Sequence, residues 1–340
     1  MKILFLADFR RDSPRFLLNN PRIMSKGFMR NGHDVLEFSY RDMILRNSLT
    51  ASKKWAGKWA KKKTDQMLLR MAQSYEPDLL FIMTFKLLDV ATVRMLKEAL
   101  PGARVMCWYI DMYEGADPVV APIAKECEWL LSTGGGEILR TYKDVGVPHC
   151  AFMPFPSDPD LEYPREVADK WRSELLFTGK LRHGLTGQDA LREDLVRHLV
   201  EHKEMTVWGG MGRPWLEGND YLNAICGARI AVSINAFNHI RFYHSDRPVH
   251  YMGCGTFTLA KWVPDSELLF ENNRHLCYFS TIAECLELIE RYQKDDKQRK
   301  KIAADGMKRA HDGFRIERLA GYIIDLMEKG EYDDSWCEII

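Results

Sequence analysis

Apolar positions along the chain fall into two rhythms. Short unbroken runs such as "KILFLADF" (2–9), "PDLLFIMTF" (77–85), "ARVMCWYI" (103–110) and "ECEWLLST" (126–133) have the length of a single strand. Between them apolar residues recur at three- and four-residue spacing, as in "VATVRMLKEAL" (90–100), which is the stripe of an amphipathic helix. Gly32 closes one such helix before "VLEF" (35–38), and "GGGEILRTYKDVG" (134–146) reads as a turn and a helix. Strands that are apolar throughout, set between helices, belong to a parallel sheet covered on both faces.

The rhythm breaks in the proline-rich stretch "AFMPFPSDPDLEYP" (151–164), which favours extended chain and is read as the interdomain linker. A second series follows: "SELLFTG" (173–179), "DALREDLVRHLVEH" (189–202), "EMTVWGG" (204–210), "RIAVSIN" (229–235), "TFTLAKW" (256–262), "HLCYFS" (275–280), and helices over 282–295 and 298–312. The expected fold class is α/β: two doubly wound, Rossmann-like domains facing a cleft, 1–157 and 158–312. Residues 313–340 add an amphipathic helix, "IERLAGYIIDLMEK" (316–329), with no docking place specified by its own sequence, and an acidic tail expected at the surface.

Composition narrows the function classes. The 340 residues carry 48 basic and 48 acidic side chains, so no whole-molecule field draws nucleic acid, and any anion site must be local. Eight cysteines occur without a CxxC pair, so neither disulfides nor zinc are expected. No run approaches the ~20 apolar residues that span a bilayer, and the start lacks a signal-peptide pattern. The chain is expected in the cytoplasm.

The densest chemistry lies in "SDRPVHYMGCGTFTLAKWVPDSELLF" (245–270). Ser245 and Asp246 are helix-capping types and Pro248 suits a first turn, so a helix is expected from Arg247, ended by Gly253 and Gly255. Its N-terminus and Arg247 suit a phosphate; an ordinary cap with a solvated arginine has the same local sequence. The missing side chains of the glycines permit close approach of another group. The loop after the next strand carries Asp265, Ser266 and Glu267. A second basic loop, "FTGKLRHG" (177–184), places Gly179, Lys180, Arg182 and His183 after a strand. Two such loops suffice to neutralise a diphosphate without a metal, and no cluster of carboxylates or CxxC pair has the spacing of a metal site.

These segments carry a resemblance. With "KILFLADF", "RNGHDV", "EPDLLFIM", "VMCWYIDM", "LLFTGKLR" and "IAECLELIERYQKDDKQRKKIAADGMKRA", the chain resembles GT-B glycosyltransferases of the group 1 type, most closely the CgeB-like branch of spore maturation proteins. The resemblance implies a nucleotide-sugar donor, with Lys180, Arg182 and Arg247 toward the diphosphate, Glu267 toward the donor, and the last helix crossing back to the first domain. Gly179, Ser245 and His250 complete the expected donor site. The family motif Ser-x-Arg-x-Phe-Glu-x-x-x-x-Gly departs here: His250 stands where the family has glutamate, and Val249 where it has phenylalanine.

On the acceptor side, Asp111 follows a strand of the first half and is the candidate base; Asp8 holds the equivalent place after the first strand, and strand-end aspartates are also common turn formers. "STGGGEIL" (132–139) lacks the P-loop ending and reads as a tight turn beside the acceptor. "SKKWAGKWAKKK" (52–63), from which Lys53 and Lys63 bracket two tryptophans, suits an anionic membrane surface or a polyanionic acceptor; solvated lysines around core tryptophans fit it too. The expectation is a metal-independent glycosyltransferase with no cofactor beyond its donor, a UDP-sugar. Its acceptor would be a saccharide or lipid-linked glycan, with peripheral contact at the inner membrane face. A nucleotide-sugar-binding scaffold on the same fold, or a sugar-nucleotide epimerase, are the alternatives.

Overall fold

The computed structural model describes residues 1–14, 17–48, 53–181 and 191–340, with side chains from residue 57 in the third stretch. The chain divides into two compact units: Met1–Ser132, Gly136–Met153 and Leu319–Ile340 form unit 1, and Thr133–Gly135 with Pro154–Arg318 form unit 2.

Unit 1 runs β1 (Lys2–Ala7), α1 (Asn20–Arg30), β2 (Asp34–Ser39), α2 (Tyr40–Asn47), α3 (Lys53–Tyr75), β3 (Leu79–Met83), α4 (Val90–Ala99), β4 (Arg104–Tyr109), α5 (Ala121–Ala124), β5 (Trp129–Ser132), α6 (Glu137–Asp144) and β6 (His149–Phe152). The strands form one parallel sheet in the order β2-β1-β3-β4-β5-β6. Local chemistry sets the helix ends: Pro21 lies in the first turn of α1, Gly32 turns the chain out of it at φ 81°, and the Asp89 side chain accepts from Thr92 N–H to start α4. Phe5, Phe28 and Phe81 interlock edge-to-face between the sheet and α1.

One expectation is corrected in unit 1. The start of the proline-rich stretch is not linker: Ala151 and Phe152 lie in β6, paired with β5 through Leu131 and Ser132. The tail, 331–340, lies at the surface with Trp336 its one buried residue, and it is paired to the sheet. Cys150 N–H donates to Ile340 O (3.0 Å) and Phe152 N–H to Glu338 O (3.0 Å), so the tail lies antiparallel along β6. Trp336 is fully buried against Phe152 and Tyr322. An unpaired strand edge is a liability, and a buried indole makes the segment covering it stay. The same tail answers the glycine turn: Gly136 N–H donates to the Glu338 carboxylate at 3.0 Å, so the chain supplies its own anion there.

Unit 2 runs β7 (Ser173–Thr178), α7 (Leu191–Lys203), β8 (Thr206–Trp208), α8 (Gly218–Cys226), β9 (Ala228–Ser233), α9 (Arg247–Gly253), β10 (Phe257–Lys261), β11 (Cys277–Phe279), α10 (Ile282–Lys294) and α11 (Asp296–Gly313). Its parallel sheet has the order β11-β10-β9-β7-β8. Leu175, Phe177, Ile230, Val232 and Leu259 of the strands pack with Leu195, Leu199, Ile289 and Ile302 of the helices in one core. The last helix, α12 (Ile316–Lys329), begins at the end of unit 2 and belongs to unit 1 from Leu319 onward. No described helix is long and apolar enough to cross a membrane.

Candidate active site

Unit 2 begins with β7, and the chain then builds outward in opposite directions, to β8 on one side and to β9, β10 and β11 on the other. Loops leaving β7 and β9 therefore diverge, and a doubly wound sheet binds ligands at the carboxyl ends of such a strand pair. Arg247 is fixed at this point: its Nη1 donates to Thr178 O at the end of β7 (3.3 Å) and its Nη2 to Ile234 O just after β9 (2.7 Å). Tyr251, one turn further along α9, ties the helix to the same strand end. Its hydroxyl accepts from Thr178 N–H (3.1 Å) and lies 2.7 Å from the Thr178 hydroxyl.

A second guanidinium lies beside the first. Arg192, at the start of α7, donates from Nη2 to Lys180 O (2.7 Å). The guanidiniums of Arg192 and Arg247 stand 5.6 and 5.2 Å from the ring centroid of Phe177. Gly179 is required between them, because a Cβ there would lie 2.7 Å from Arg247 Nη1, 3.2 Å from Arg192 Nη2 and 3.1 Å from the Phe177 ring. Both arginines are 8% exposed. Among the described residues neither forms an ion pair, and each Nε is buried without a hydrogen-bond partner. Burial, reinforced by the neighbouring Arg247 charge, lowers the Arg192 pKa to about 9. Two buried like charges with no direct salt-bridge partner are costly, and the nearby Asp246 carboxylate offsets part of that cost.

The sequence-predicted residues separate into those that converge here and those that do not. Gly179 and Arg247 form the centre. Lys180 contributes its carbonyl to Arg192, while its exposed ammonium lies 5.6 Å from the Trp215 ring. Ser245 enters through its backbone N–H, which donates to Asn235 Oδ1 (3.0 Å), and its hydroxyl is buried without a partner. Glu267 is exposed on the short turn Ser266–Leu268 after β10, and among the described residues no hydrogen bond or ion pair joins it to the arginines. Arg182 and His183 lie outside the described residues.

The capping expectation is corrected. Asp246 holds the N-cap position with helical φ and ψ of −59° and −21°, and its side chain makes no cap bond; a cap residue normally needs extended φ and ψ for its oxygen to reach back to the helix amides. The seven-residue α9 contributes side chains here instead. Its His250 is buried, and Nδ1 of the ring hydrogen-bonds to Glu162, from the stretch read as linker. Gly253 makes room for that carboxylate, since a Cβ there would lie 2.8 Å from Glu162 Oε2. His244 is a different kind of histidine: buried on the Tyr278 ring, its pKa lowered to about 3 by burial and by Arg247, and so neutral.

In unit 1 the corresponding strand pair is β1 and β3. Thr84 Oγ1, after β3, donates to Asp8 Oδ1, after β1, at 3.1 Å. Burial pushes the Asp8 carboxyl above its usual range, against the opposing Thr84 bond. Asp111 is exposed, one strand further across the sheet. Among the described residues no group of three or more His, Cys, Asp or Glu side chains is placed to hold a metal ion.

Arg192, Glu162 and Tyr251 were not singled out in the sequence. Only the register of strand ends brings them together, and for Arg192 the one available signal was its position two residues inside the first helix after "FTGK".

Residues 188–325 match a family profile described as glycosyl transferase-like. No curated protein matches the chain. Among solved structures, the Anabaena protein HepE in complex with UDP-glucose superposes with a TM-score of 0.62 at 11% identity, over 96% of this chain and 99% of that one. Sucrose-phosphate synthase from Thermosynechococcus elongatus gives 0.64 at 14% identity, over 96% and 98%. A glycosyltransferase from Rickettsia africae gives 0.61 at 10% identity, over 96% and 98%. With two Rossmann-like parallel-sheet units in these orders, the chain has the GT-B fold.

Proposed function

We propose that the protein is a glycosyltransferase of the CgeB-like branch that moves a sugar, a hexose in our reading, from a UDP-sugar to a saccharide or lipid-linked glycan. The observation that carries this reading is the pair of buried guanidiniums, Arg192 and Arg247, converging on Gly179 at the β7–β9 strand ends with no salt bridge to either among the described residues. A diphosphate supplies the two missing negative charges and accepts bidentate hydrogen bonds, and a cationic clamp of this kind stabilises the charge that develops on a departing nucleotide without a metal ion. The fold shared with HepE, solved with UDP-glucose, supports a uridine nucleotide as the diphosphate.

In this reading Gly179, Lys180, Arg182, Arg247 and Ser245 hold the donor, Glu267 approaches it from the next loop, and His250 anchors α9. Domain 1–157 receives the acceptor, 158–312 the donor, and Asp111 takes the proton from the acceptor hydroxyl. The protein works in the cytoplasm, at the inner membrane face, through the exposed Lys58, Trp59, Lys62 and Lys63 of α3. A binding scaffold is the second reading, motivated by His250, whose ring is committed to Glu162.

Calorimetric titration with UDP, GDP, CMP and dTDP, followed by release of free sugar from the preferred nucleotide sugar, tests the proposal. UDP binding with slow hydrolysis of a UDP-sugar is the expected result. Binding with no turnover in the presence of any acceptor favours the scaffold, and no nucleotide binding removes both.

A further inference from the structure

Two cysteines of unit 2 meet at the end of α9 far from Arg247. Cys226 is the last residue of α8, and Cys254 is the C-cap of α9. The segments that carry them are pinned together, because the Thr256 hydroxyl donates to Ile225 O at 2.8 Å. Both also pack on one stretch of chain, Glu162–Arg165. The Cys226 thiol donates to Tyr163 O (3.5 Å). A Cβ on Gly253 would lie 2.8 Å from Glu162 Oε2, and one on Gly255 2.8 Å from the Pro164 ring, so Cys254 is held between two tight backbone contacts. Its S–H is hydrogen-bonded to the Cys226 sulfur. Cys254 is buried, whereas Cys226 is partly exposed.

The pair is asymmetric in charge as well. The hydrogen bond from Cys254 lowers the Cys226 thiol to about 7, helped against burial by the Arg165 backbone N–H and guanidinium. The same bond, burial and the Glu162 carboxylate raise the Cys254 thiol. Against burial, that carboxylate and Asp246 also lift His250 to about 10. The shared proton therefore rests on the inner sulfur, and the negative charge on the one that solvent reaches. A thiolate open to solvent is the reactive form of cysteine, and a second thiol in contact with it resolves the oxidised product. The remaining cysteines lack this combination. Cys107 and Cys127 also touch, but both are buried in the unit 1 core. Cys337 is partly exposed, yet burial, Asp334 and Glu338 raise its thiol.

We infer that Cys226 and Cys254 form a peroxide-oxidisable dithiol, a modification site that joins the end of α8 to the end of α9. The Cys226 sulfur attacks one oxygen of a hydroperoxide and the O–O bond breaks. The leaving oxygen takes up a proton as water or an alcohol, and Cys226 is left as the sulfenic acid. The Cys254 sulfur then attacks the Cys226 sulfur, and its proton leaves with the hydroxyl as water. Two electrons have passed from the sulfurs to the peroxide, and a reducing thiol returns them. Bonded sulfurs stand about 2.05 Å apart, closer than a hydrogen-bonded pair, so the bridge draws the two helix ends together. Since α9 begins with Arg247, the bridge acts on the helix that carries half of the guanidinium pair. The inference does not depend on which anion that pair holds.

Treatment of the full chain with a small molar excess of hydrogen peroxide, followed by alkylation, digestion and mass spectrometry, tests it. The expected product is a Cys226–Cys254 cross-linked peptide that dithiothreitol removes, with the other cysteines alkylated. Before oxidation, iodoacetamide at pH 7 should modify Cys226 about fivefold faster than Cys337, the gain in thiolate fraction exceeding the loss of nucleophilicity in a more acidic thiol. Cys254→Ala should stop at a Cys226 sulfenic acid that dimedone traps, and Cys226→Ser should leave Cys254 reduced at the same dose. Cys226 that stays reduced in peroxide, that bridges only to a second copy of the chain, or that is alkylated no faster than Cys337 overturns the inference. Each of these outcomes is read on the wild-type protein, so it stands whether or not the variants fold.

Discussion

Arg192 and Arg247 share one aromatic ring, that of Phe177, with guanidinium carbons 5.6 and 5.2 Å from its centroid. Neither forms an ion pair among the described residues, and each Nε is buried without a hydrogen-bond partner. This separates the arrangement from the surface pairs of the chain, such as Arg229–Glu174, where each cation already has its anion.

The empty protein should therefore tolerate loss of one cation. Arg192→Met is expected to leave thermal stability unchanged or raise it by about 1 kcal/mol, as when buried ions are replaced by apolar groups. Pyrophosphate at 100 times its dissociation constant stabilises wild type by about 2.7 kcal/mol, and that increment should be lost in Arg192→Met. Differential scanning calorimetry with and without pyrophosphate measures both quantities. A large fall in the stability of the ligand-free variant would mean that Arg192 is a structural residue.

The His250 cluster gives a pH dependence with a definite sign. Its pKa in the folded protein, about 10, lies above the ordinary 6.5. Such a group contributes its stabilisation in full below about pH 6.5 and loses it as pH rises through about 10. Denaturation midpoints in urea should fall between pH 7 and pH 10 by the equivalent of about 3 kcal/mol more in wild type than in His250→Gln. Parallel profiles for the two proteins would show that the ring is neutral in the fold.

Asp111 and Asp8 are distinguished by kinetics. With Asp111 as the proton acceptor, Asp111→Asn should lower sugar transfer by about 10²-fold or more while UDP binding is retained. If Asp8→Asn has that effect and Asp111→Asn does not, the role moves to the carboxyl bonded to Thr84 at the β1–β3 strand ends.

The tail has a structural task. Trp336 is fully buried against Tyr322 and Phe152, and its replacement by alanine should cost about 3–5 kcal/mol. The loss should be visible as a lower urea midpoint and as faster hydrogen exchange at Cys150 and Phe152, whose amides donate to the tail.

Membrane contact depends on the exposed face of α3. Trp59→Ala combined with Lys62→Glu and Lys63→Glu should abolish cosedimentation with vesicles containing anionic lipid. Lys61 is a poor target for this test, since it is engaged by Asp65 and Asp89 within unit 1. Unchanged pelleting would remove the membrane from the proposed function.

The local pattern of the chain determined most of its elements: β1, β3, β4 and β5, the helix starting at Arg247, the turn at Gly179 and the doubly wound class of both units follow from side-chain periodicity and from glycine and proline chemistry. These properties act over a few residues and are legible in any short window. Helix α8, between Gly218 and Cys226, was missed because so short a helix shows barely two turns of apolar spacing at Leu222 and Ile225. Tertiary structure alone decided the rest, since burial and charge pairing join residues that sequence holds far apart. In isolation His250 looked like a glutamate lost, and only folding brings Glu162 to it across 88 positions. Nothing in its own sequence sets Arg192 apart from other helix arginines; only the ends of β7 and β9 place its guanidinium beside that of Arg247, where burial lowers its pKa to about 9.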